Sequence, residues 1–235
     1  FEVLLQKLIP QFLPTVYMEG YQDMHHRSLS AFPGKPKVIY TTNALYANEG
    51  FKCWAAWRVI QGTKLITSQH GGHYGLGKWS AYEKHEIKVA DRHFTWGWEE
   101  KNDSRIIPMP SAQLISRIKN TKTNPCGNIL WVGTSYPRYS YWLHSSPIGP
   151  KFADYLIDQK RFAEGTSDKV LDLLIYRLDP AENGWNVKER LTDMLPYVKL
   201  YQGKKSFYQQ LNEARLCIST HNSTIFLETF AANLP

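Results

Sequence analysis

The sequence predicts an α/β protein made of two Rossmann-like halves, each with a parallel sheet flanked by helices. Short apolar runs rich in β-branched and aromatic residues alternate with longer amphipathic segments, the pattern of successive strand–helix–strand units. This alternation stops in a polar, basic stretch at residues 111–127 and then starts again. We therefore expect one half over residues 1–118 and a C-terminal, nucleotide-binding half over residues 119–235.

The first half is predicted to hold four strands. The opening FEVLLQKLIPQFLP predicts a helix instead of a signal peptide, because Glu2, Lys7 and Pro10 interrupt its apolar run. Further helices are predicted between the first two strands, ending at Gly62, and over SAYEKHEIKVADR. The predicted strands are VIYTT (38–42), KLITSQ (64–69), HFTWGW (93–98) and RIIPMP (105–110).

The second half repeats the alternation. Strands are predicted in NILWVGTS (128–135), in KVLDLLIYRLDP (169–180) and in LCIST (216–220). Helices are predicted over FADYLIDQKRFAEG, KERLTDMLP, SFYQQLNEA and STIFLETFAA. The closing helix is followed by a turn that normally leads into another strand, so we expect this half to be incomplete.

Charge and cysteine content narrow the class of partner and compartment. Lys and Arg total 28 against 21 Asp and Glu, and the net charge of +7 favours anionic partners. Aromatic residues fall inside strand and helix patterns, so no stacking platform for nucleic acid is expected. The three cysteines are far apart and show no C-x-x-C spacing, which fits a reducing compartment.

The most unusual segment is QHGGHYGLGKW, which directly follows a buried strand. Its glycines allow the backbone to approach a ligand at the carboxyl end of a parallel strand, where open α/β sheets bind ligands. We expect His70 and His73 to act as acid or base, with Gly71, Gly72 and Tyr74 lining the ligand. A glycine-rich turn with capping histidines, or a metal site completed by His85, are the alternatives.

The segment THNSTIFLETFAA places hydroxyl residues at the start of a helix. Free N–H groups and the positive helix end favour an anion, so Asn222, Ser223 and Thr224 are candidate phosphate ligands. Glu228 lies about one turn later, where a carboxylate could accept the two hydroxyls of a ribose. An ordinary helix N-cap is the alternative.

Two further strand ends carry charge. In GTSYPRYSYW (133–142), Arg138 suits bidentate phosphate binding and Tyr139 could cover a base or sugar. A surface loop with aromatic packing is the alternative. In YRLDP, Arg177 is a candidate binding residue and Asp179 a candidate catalytic one, with an internal ion pair as the alternative.

Together these strings resemble a transferase family encoded in bacterial O-antigen and surface-carbohydrate clusters, first described from spirochaetes. The resemblance runs from about Pro36 to the end. It is carried by KVIYTTNALYANEGFKCWAAWRVIQGTKL, SQHGGHYGLGKWS, HEIKVADRHFTWGW, PRYSYW and STHNSTIFLETFAANLP. It implies a GT-B-type glycosyltransferase that uses a nucleotide-activated sugar in the synthesis of O-antigen, lipopolysaccharide or capsule. The layout is similar, more distantly, to bacterial Kdo transferases and polyol-phosphate transferases.

The resemblance also implies partners and a location. A nucleotide-sugar donor and a glycan or lipid-linked acceptor are expected, in the cytoplasm with peripheral contact to the inner membrane. Related polymer transferases often carry a His-Pro pair where this chain has Asp179-Pro180, so a donor contact from that histidine is not expected. A polyol-phosphate transferase using a CDP-alcohol and a non-catalytic nucleotide- or sugar-binding domain are the alternatives.

The expected chemistry needs neither a cofactor nor a metal. No Asp-x-Asp pair is visible in the sequence, so Arg138 and helix-end N–H groups are expected to balance the donor phosphate in place of Mg²⁺. We expect the loops at 70–74, 136–139 and 220–224 to face a common cleft between the two halves.

Overall fold

The apolar segments form two four-stranded parallel sheets, which lie in separate units. The computed structural model describes residues 1–118, 121–140 and 147–235. The predicted boundary between the halves lies between residues 118 and 119. Residues 119 and 120 lie outside the described residues, and the boundary stays a prediction. Tyr141 and Trp142 of the predicted aromatic loop, within the range 141–146, also lie outside them.

The first unit comprises Phe1–His70 and Trp79–Pro110. Its parallel strands are β1 (Val38–Thr41), β2 (Lys64–Ser68), β3 (Arg92–Thr95) and β4 (Ile106–Pro108), paired in that order. Its helices are α1 (Glu2–Phe12), α2 (Tyr21–Ala31), α3 (Ala44–Ala47), α4 (Glu49–Ile60) and α5 (Ala81–Val89), with a 3-10 turn at Thr15–Tyr17.

Capping residues explain where the first unit's main helices begin. The Asn48 side chain accepts the N–H of Phe51 at 2.9 Å, and α4 starts at the next residue. Ser80 caps α5 in the same way through the N–H of Glu83. Both helices pack on the sheet, and α4 supplies Trp54 and Ala55 to a core that also contains Ile39, Leu45 and Leu65.

The second unit comprises Gly71–Lys78 and Ser111–Pro235. Its parallel strands are β5 (Asn128–Val132), β6 (Leu174–Arg177), β7 (Lys199–Leu200) and β8 (Ala214–Ser219), in the order β7-β6-β5-β8. Its helices are α6 (Ala112–Ile118), α7 (Pro150–Glu164), α8 (Asp168–Leu171), α9 (Val187–Met194), α10 (Phe207–Leu211) and α11 (Thr224–Ala231).

The second unit has the larger core of the two. Trp131 of β5, Phe152 of α7 and Tyr176 of β6 are at most 1% exposed, and each ring contacts another aromatic ring of the unit. Leu191 of α9 and Leu211 of α10 are fully buried as well. Because β5 and β6 are covered on both faces, their residues form nearly continuous apolar runs, which is typical of parallel sheets.

The predicted α/β class with two Rossmann-like halves is confirmed by the two parallel sheets and their flanking helices. Some boundaries differ from the prediction. The strand expected over residues 93–98 ends at Thr95, because Thr95 Oγ1 hydrogen-bonds to the carbonyl of Trp98 and Gly97 between them has φ of +97°. The polar stretch after Pro110 contains a short helix, whose start Ser111 caps through the N–H of Leu114 at 3.2 Å.

Helix α1 is amphipathic but buries none of its residues. Phe1, Val3 and Phe12 are 92%, 66% and 77% exposed, respectively. Throughout the described part of the chain, no helix combines the length and apolar character needed to cross a membrane.

Candidate functional site

The second sheet reverses its strand order at β5, and in open α/β sheets such a reversal is expected to leave a crevice at the carboxyl ends of the two strands involved, here β5 and β8. After β5 the chain adds β6 and β7 on one side, whereas β8 pairs with the other side of β5. The loops that follow the two central strands then run in opposite directions, and open α/β sheets bind ligands between such loops. In this unit the loops begin at Gly133 and Thr220.

Tyr155 of α7 connects these two loops. Its hydroxyl oxygen accepts the backbone N–H of Thr134 at 3.1 Å and lies 2.7 Å from Thr220 Oγ1. Thr220 Oγ1 donates to the carbonyl of Val132 at 2.8 Å, so the proton between the two hydroxyls belongs to Tyr155. The network therefore connects the loop after β5 to the loop after β8 through satisfied hydrogen bonds.

The glycine-rich segment that follows β2 belongs to the second unit and packs on the start of α11. A Cβ on Gly72 would overlap the carbonyl oxygen of Ser223 and would lie 2.7 Å from that carbonyl carbon and 3.0 Å from the Thr224 nitrogen. These are backbone atoms, which cannot move aside as a flexible side chain does. Only glycine therefore permits this approach.

The remainder of the segment is held less tightly. A Cβ on Gly71 would meet the His73 ring at 3.2 Å and Thr224 Oγ1 at 3.7 Å, both of which belong to side chains. The rings of His73 and Tyr74 lie 4.5 Å apart, and Tyr74 is 2% exposed. Tyr74 is therefore a packing residue of the segment, and His73 lies beside the start of α11.

Ser223 is the N-cap of α11, which is the alternative that the sequence offers, and its role as a phosphate ligand stays a prediction. Its hydroxyl oxygen accepts the N–H of Ile225 at 3.3 Å, and Thr224 is the first helical residue. Asn222 is exposed at the preceding position. Glu228, one turn further on, is 8% exposed and accepts a hydrogen bond from the Tyr208 hydroxyl of α10. This contact orients the Glu228 carboxylate, whose binding of a ribose stays a prediction.

Three titratable side chains lie where β5, β6 and β8 end. Burial lowers the pKa of His221, while the charge of Asp179 acts in the opposite direction. Burial raises the pKa of Tyr136, a hydrogen bond with Thr134 opposes the change, and the charge of Asp179 adds to it. Asp179 itself is held by accepting the N–H of Ala181 at 2.9 Å. The charge of Asp179, the predicted catalytic carboxylate, thus acts on both His221 and Tyr136.

Arg138 lies in the loop after β5 among aromatic rings. Its guanidinium carbon is 5.8 Å from the Tyr139 ring centroid and 5.4 Å from that of Trp185, distances at which a cation interacts with a ring. Arg138 is exposed, and Tyr139 is 89% exposed. A cavity of about 680 Å³ adjoins the pair, and its described lining residues are Arg138, Tyr139, Ser140, Ile148, Gly149 and Pro150.

Arg177, at the end of β6, bonds to groups of its own unit. Its Nη1 donates to the side-chain oxygen of Gln210 and to the carbonyl of Lys205 at 3.2 Å. The alternative of an internal ion pair with Asp179 is not among the described contacts. These bonds connect β6 to α10, so the structure gives Arg177 a clear packing role, and its ligand contact stays a prediction.

His70 is the last residue of the first unit before the glycine-rich segment. Its Nδ1 donates to the carbonyl of Thr42 at 2.9 Å, so Nε2 is the nitrogen without a hydrogen in the neutral ring. Burial lowers the pKa of His70, and the bond to Thr42 opposes this change. The lowered pKa favours the neutral imidazole, which is the form that a general base needs.

A second histidine, His93 of β3, lies beside His70 in the first unit. It is fully buried, and its Nδ1 is 2.8 Å from Thr67 Oγ1 of the neighbouring strand β2. Burial, with a contribution from the charge of His70, lowers the pKa of His93 to about 4. His93 therefore stays neutral and can hold the surroundings of His70 without adding a charge.

The structure brings together the predicted residues at the start of α11, which are Gly71, Gly72, Asn222, Ser223 and Thr224. It separately groups Arg138 and Tyr139 in the loop after β5. Their roles stay predictions.

Sequence reasoning missed three residues near the ends of β5 and β8, namely His221, Tyr155 and Gly133. A Cβ on Gly133 would overlap the hydroxyl of buried Tyr176. His221 could have been found from its position directly after a strand that ends in a hydroxyl-rich turn.

Within the ranges 1–118, 121–140 and 147–235, no group of three or more His, Cys, Asp or Glu side chains is arranged to hold a metal ion. The predicted trio of His70, His73 and His85 is thus not assembled as such a group. The polar groups at the switch point include backbone N–H groups, hydroxyls and one imidazole, which are donors that suit recognition of a phosphate ester, whereas the Asp179 carboxylate opposes an anion.

The family to which the chain belongs follows from comparison with known proteins. No curated protein and no solved structure matches the chain. A family model described as LIC12162 family transferase matches residues 1–235, the whole of the sequence. The chain therefore belongs to the LIC12162 family of transferases.

Proposed function

We propose that the chain is a metal-independent glycosyltransferase of the GT-B type that uses a nucleotide-activated sugar in the synthesis of bacterial surface polysaccharide. The observation that carries the proposal is the packing of Gly72 on the start of α11 at a topological switch point of the second sheet. Glycine at this position adds no side chain beside the start of α11, which would let a ligand approach the backbone there closely.

The donor phosphate would bind at the start of α11. The positive end of the helix and the hydroxyls of Ser223 and Thr224 favour an anion there, and they need no metal to do so. Glu228 Oε1 accepts the Tyr208 hydroxyl, so Oε2 would accept hydrogen bonds from the ribose hydroxyls. The cavity beside Arg138 and Tyr139 would receive the sugar or the base, with the guanidinium adding positive charge.

His70 would serve as the acid or base of the transfer. The acceptor hydroxyl loses a proton as its oxygen attacks the sugar carbon, and the bond from that carbon to the donor phosphate breaks. His70 Nε2 would take this proton, because Nδ1 is engaged with Thr42. The donor phosphate leaves with the electron pair, and the donors at the start of α11 would stabilise its charge.

The acceptor is proposed to be a glycan or a lipid-linked glycan, handled in the cytoplasm with peripheral contact to the inner membrane. The exposed apolar side chains of α1 support this contact, since an amphipathic helix of this kind lies well in a lipid headgroup layer.

Nucleotide binding tests the proposal most directly. The melting temperature would be measured with UDP, GDP, CMP, CDP and dTDP, each with and without EDTA, followed by calorimetry on the best ligand. We expect one nucleotide to bind, and to bind equally well in EDTA. Thr224→Val should weaken that binding severalfold, whereas Thr192→Val, an exposed threonine of α9, should not change it.

Each result has a defined meaning. Absence of binding by every nucleotide would contradict the proposal, as would binding that requires Mn²⁺ or Mg²⁺. A strict preference for CDP together with transfer from a CDP-alcohol would identify a polyol-phosphate transferase instead. Tight nucleotide binding with no transfer to any glycan extract would favour a non-catalytic binding domain.

A further inference from the structure

One side-chain nitrogen at the switch point is buried and lacks a partner. Among the residues that the structure describes, no group hydrogen-bonds to His221 Nδ1, although the atom is shielded from solvent. A buried polar atom without a partner costs about 1–3 kcal/mol, so proteins seldom retain one unless a ligand or water completes it. A water molecule, or a ligand that displaces the atoms covering Nδ1, would complete the bonding of this ring.

The backbone around His221 is firmly held. Its carbonyl oxygen accepts both the Ser219 hydroxyl at 2.9 Å and the N–H of Ser223 at 3.0 Å. The second of these bonds places His221 one turn before the start of α11, beside the residue on which Gly72 packs. The backbone of His221 is thus held close to the start of α11 by two hydrogen bonds.

The surroundings define the chemistry of the missing partner. The start of α11 carries a partial positive charge, and the hydroxyls of Ser223 and Thr224 lie within two or three residues of the imidazole along the chain. These groups favour an anionic oxygen acceptor. Asp179 adds a fixed negative charge nearby, which would stabilise His221 should the ring take a second proton on meeting an anion.

We infer that His221 donates a hydrogen bond from Nδ1 to a phosphate oxygen of the sugar donor and thereby helps to bind it. This inference rests on the proposed function for the identity of the donor. Asp179, the predicted catalytic residue, then acts as a positioning residue that supports the imidazole. The released nucleotide keeps this phosphate, so the contribution of the hydrogen bond to affinity can be measured with the nucleotide alone, without an acceptor.

The test uses calorimetry on the full chain with two probes, namely the nucleotide that binds best to the unaltered protein and inorganic pyrophosphate. His221→Ala should weaken the affinity for both probes at least about tenfold, the effect of losing one hydrogen bond to a charged group. His221→Asn should stay within about threefold of the unaltered protein, because its amide nitrogen can occupy the position of Nδ1. His26→Ala, at an exposed position of α2, is the matched control.

The outcomes separate this inference from the proposed function. Unchanged binding by His221→Ala overturns the inference alone. Equal losses in His221→Ala and His221→Asn, accompanied by a lower melting temperature in both, also overturn it, because the histidine would then be structural. Pyrophosphate binding that depends on His221 without any nucleotide binding would support the inference and contradict the proposed function. Failure of the unaltered protein to bind either probe overturns both.

Discussion

Replacing Gly72 by alanine tests the close approach on which the candidate site depends. The added methyl carbon would overlap the carbonyl oxygen of Ser223 and would lie 2.7 Å from the carbonyl carbon, well inside the 3.4–4 Å of an ordinary contact. Overpacking against backbone costs about 1–3 kcal/mol. Because Gly72 has no positive φ, this cost comes from the contact and not from backbone conformation.

Gly71→Ala is the matched control, since its methyl group would meet only side-chain atoms at 3.2 Å or more. We expect Gly72→Ala to lower the melting temperature by roughly 2–10 °C, or to weaken nucleotide binding by about 5- to 150-fold if the segment withdraws from α11 instead. Faster amide hydrogen exchange near Thr224 would identify the second case. Equal behaviour of the two variants in all three measurements would refute the reasoning.

Three further predictions concern buried or charged groups. Because the pKa of His93 is about 4 in the folded chain, the unfolded chain binds a proton first as pH falls below about 6.5. We expect the free energy of unfolding to fall by up to about 3 kcal/mol between pH 6.5 and 4, and urea titrations of His93→Gln should show a flatter pH dependence. Tyr155→Phe leaves the N–H of Thr134 without an acceptor and should cost about 1–3 kcal/mol, whereas Tyr197→Phe, at a half-exposed tyrosine, should be neutral in the same titrations. His70→Ala should lower kcat by about 10²- to 10⁴-fold with little change in nucleotide affinity. Arg138→Ala should weaken that affinity by about 1.5–3 kcal/mol. The reverse pattern, measured by turnover and calorimetry, would make Arg138 the catalytic residue and His70 the binding residue.

The strands of both sheets could be predicted because a parallel strand covered on both faces needs an apolar run. NILWV and LLIYRL each contain such a run, and β5 and β6 lie within them. The two-residue strand β7 was missed, since a segment that short carries no periodicity. The helix in the polar stretch was missed for a related reason, because α6 spans only 7 residues and its composition resembles that of a linker.

The candidate site could be predicted only in part. Gly71, Gly72, Ser223 and Thr224 were recognisable because glycine and hydroxyl residues after strands have a physical meaning at each position taken alone. That the two strings pack on each other could not be predicted, since they are about 150 residues apart in the chain. Tyr155 was missed because a tyrosine inside a helix pattern looks like any core residue until its hydroxyl partners are known.

The assignment of residues Gly71–Lys78 to the second unit has a consequence for folding. The chain leaves the first unit after His70, contributes eight residues to the second, returns at Trp79 and leaves again after Pro110. On the ribosome, those eight residues emerge long before the strands and helix that receive them, and they must wait for α11 to be synthesised. We expect that residues 111–235 expressed alone lack the contact of Gly72 with the start of α11 and are therefore less stable than the same residues in the whole chain.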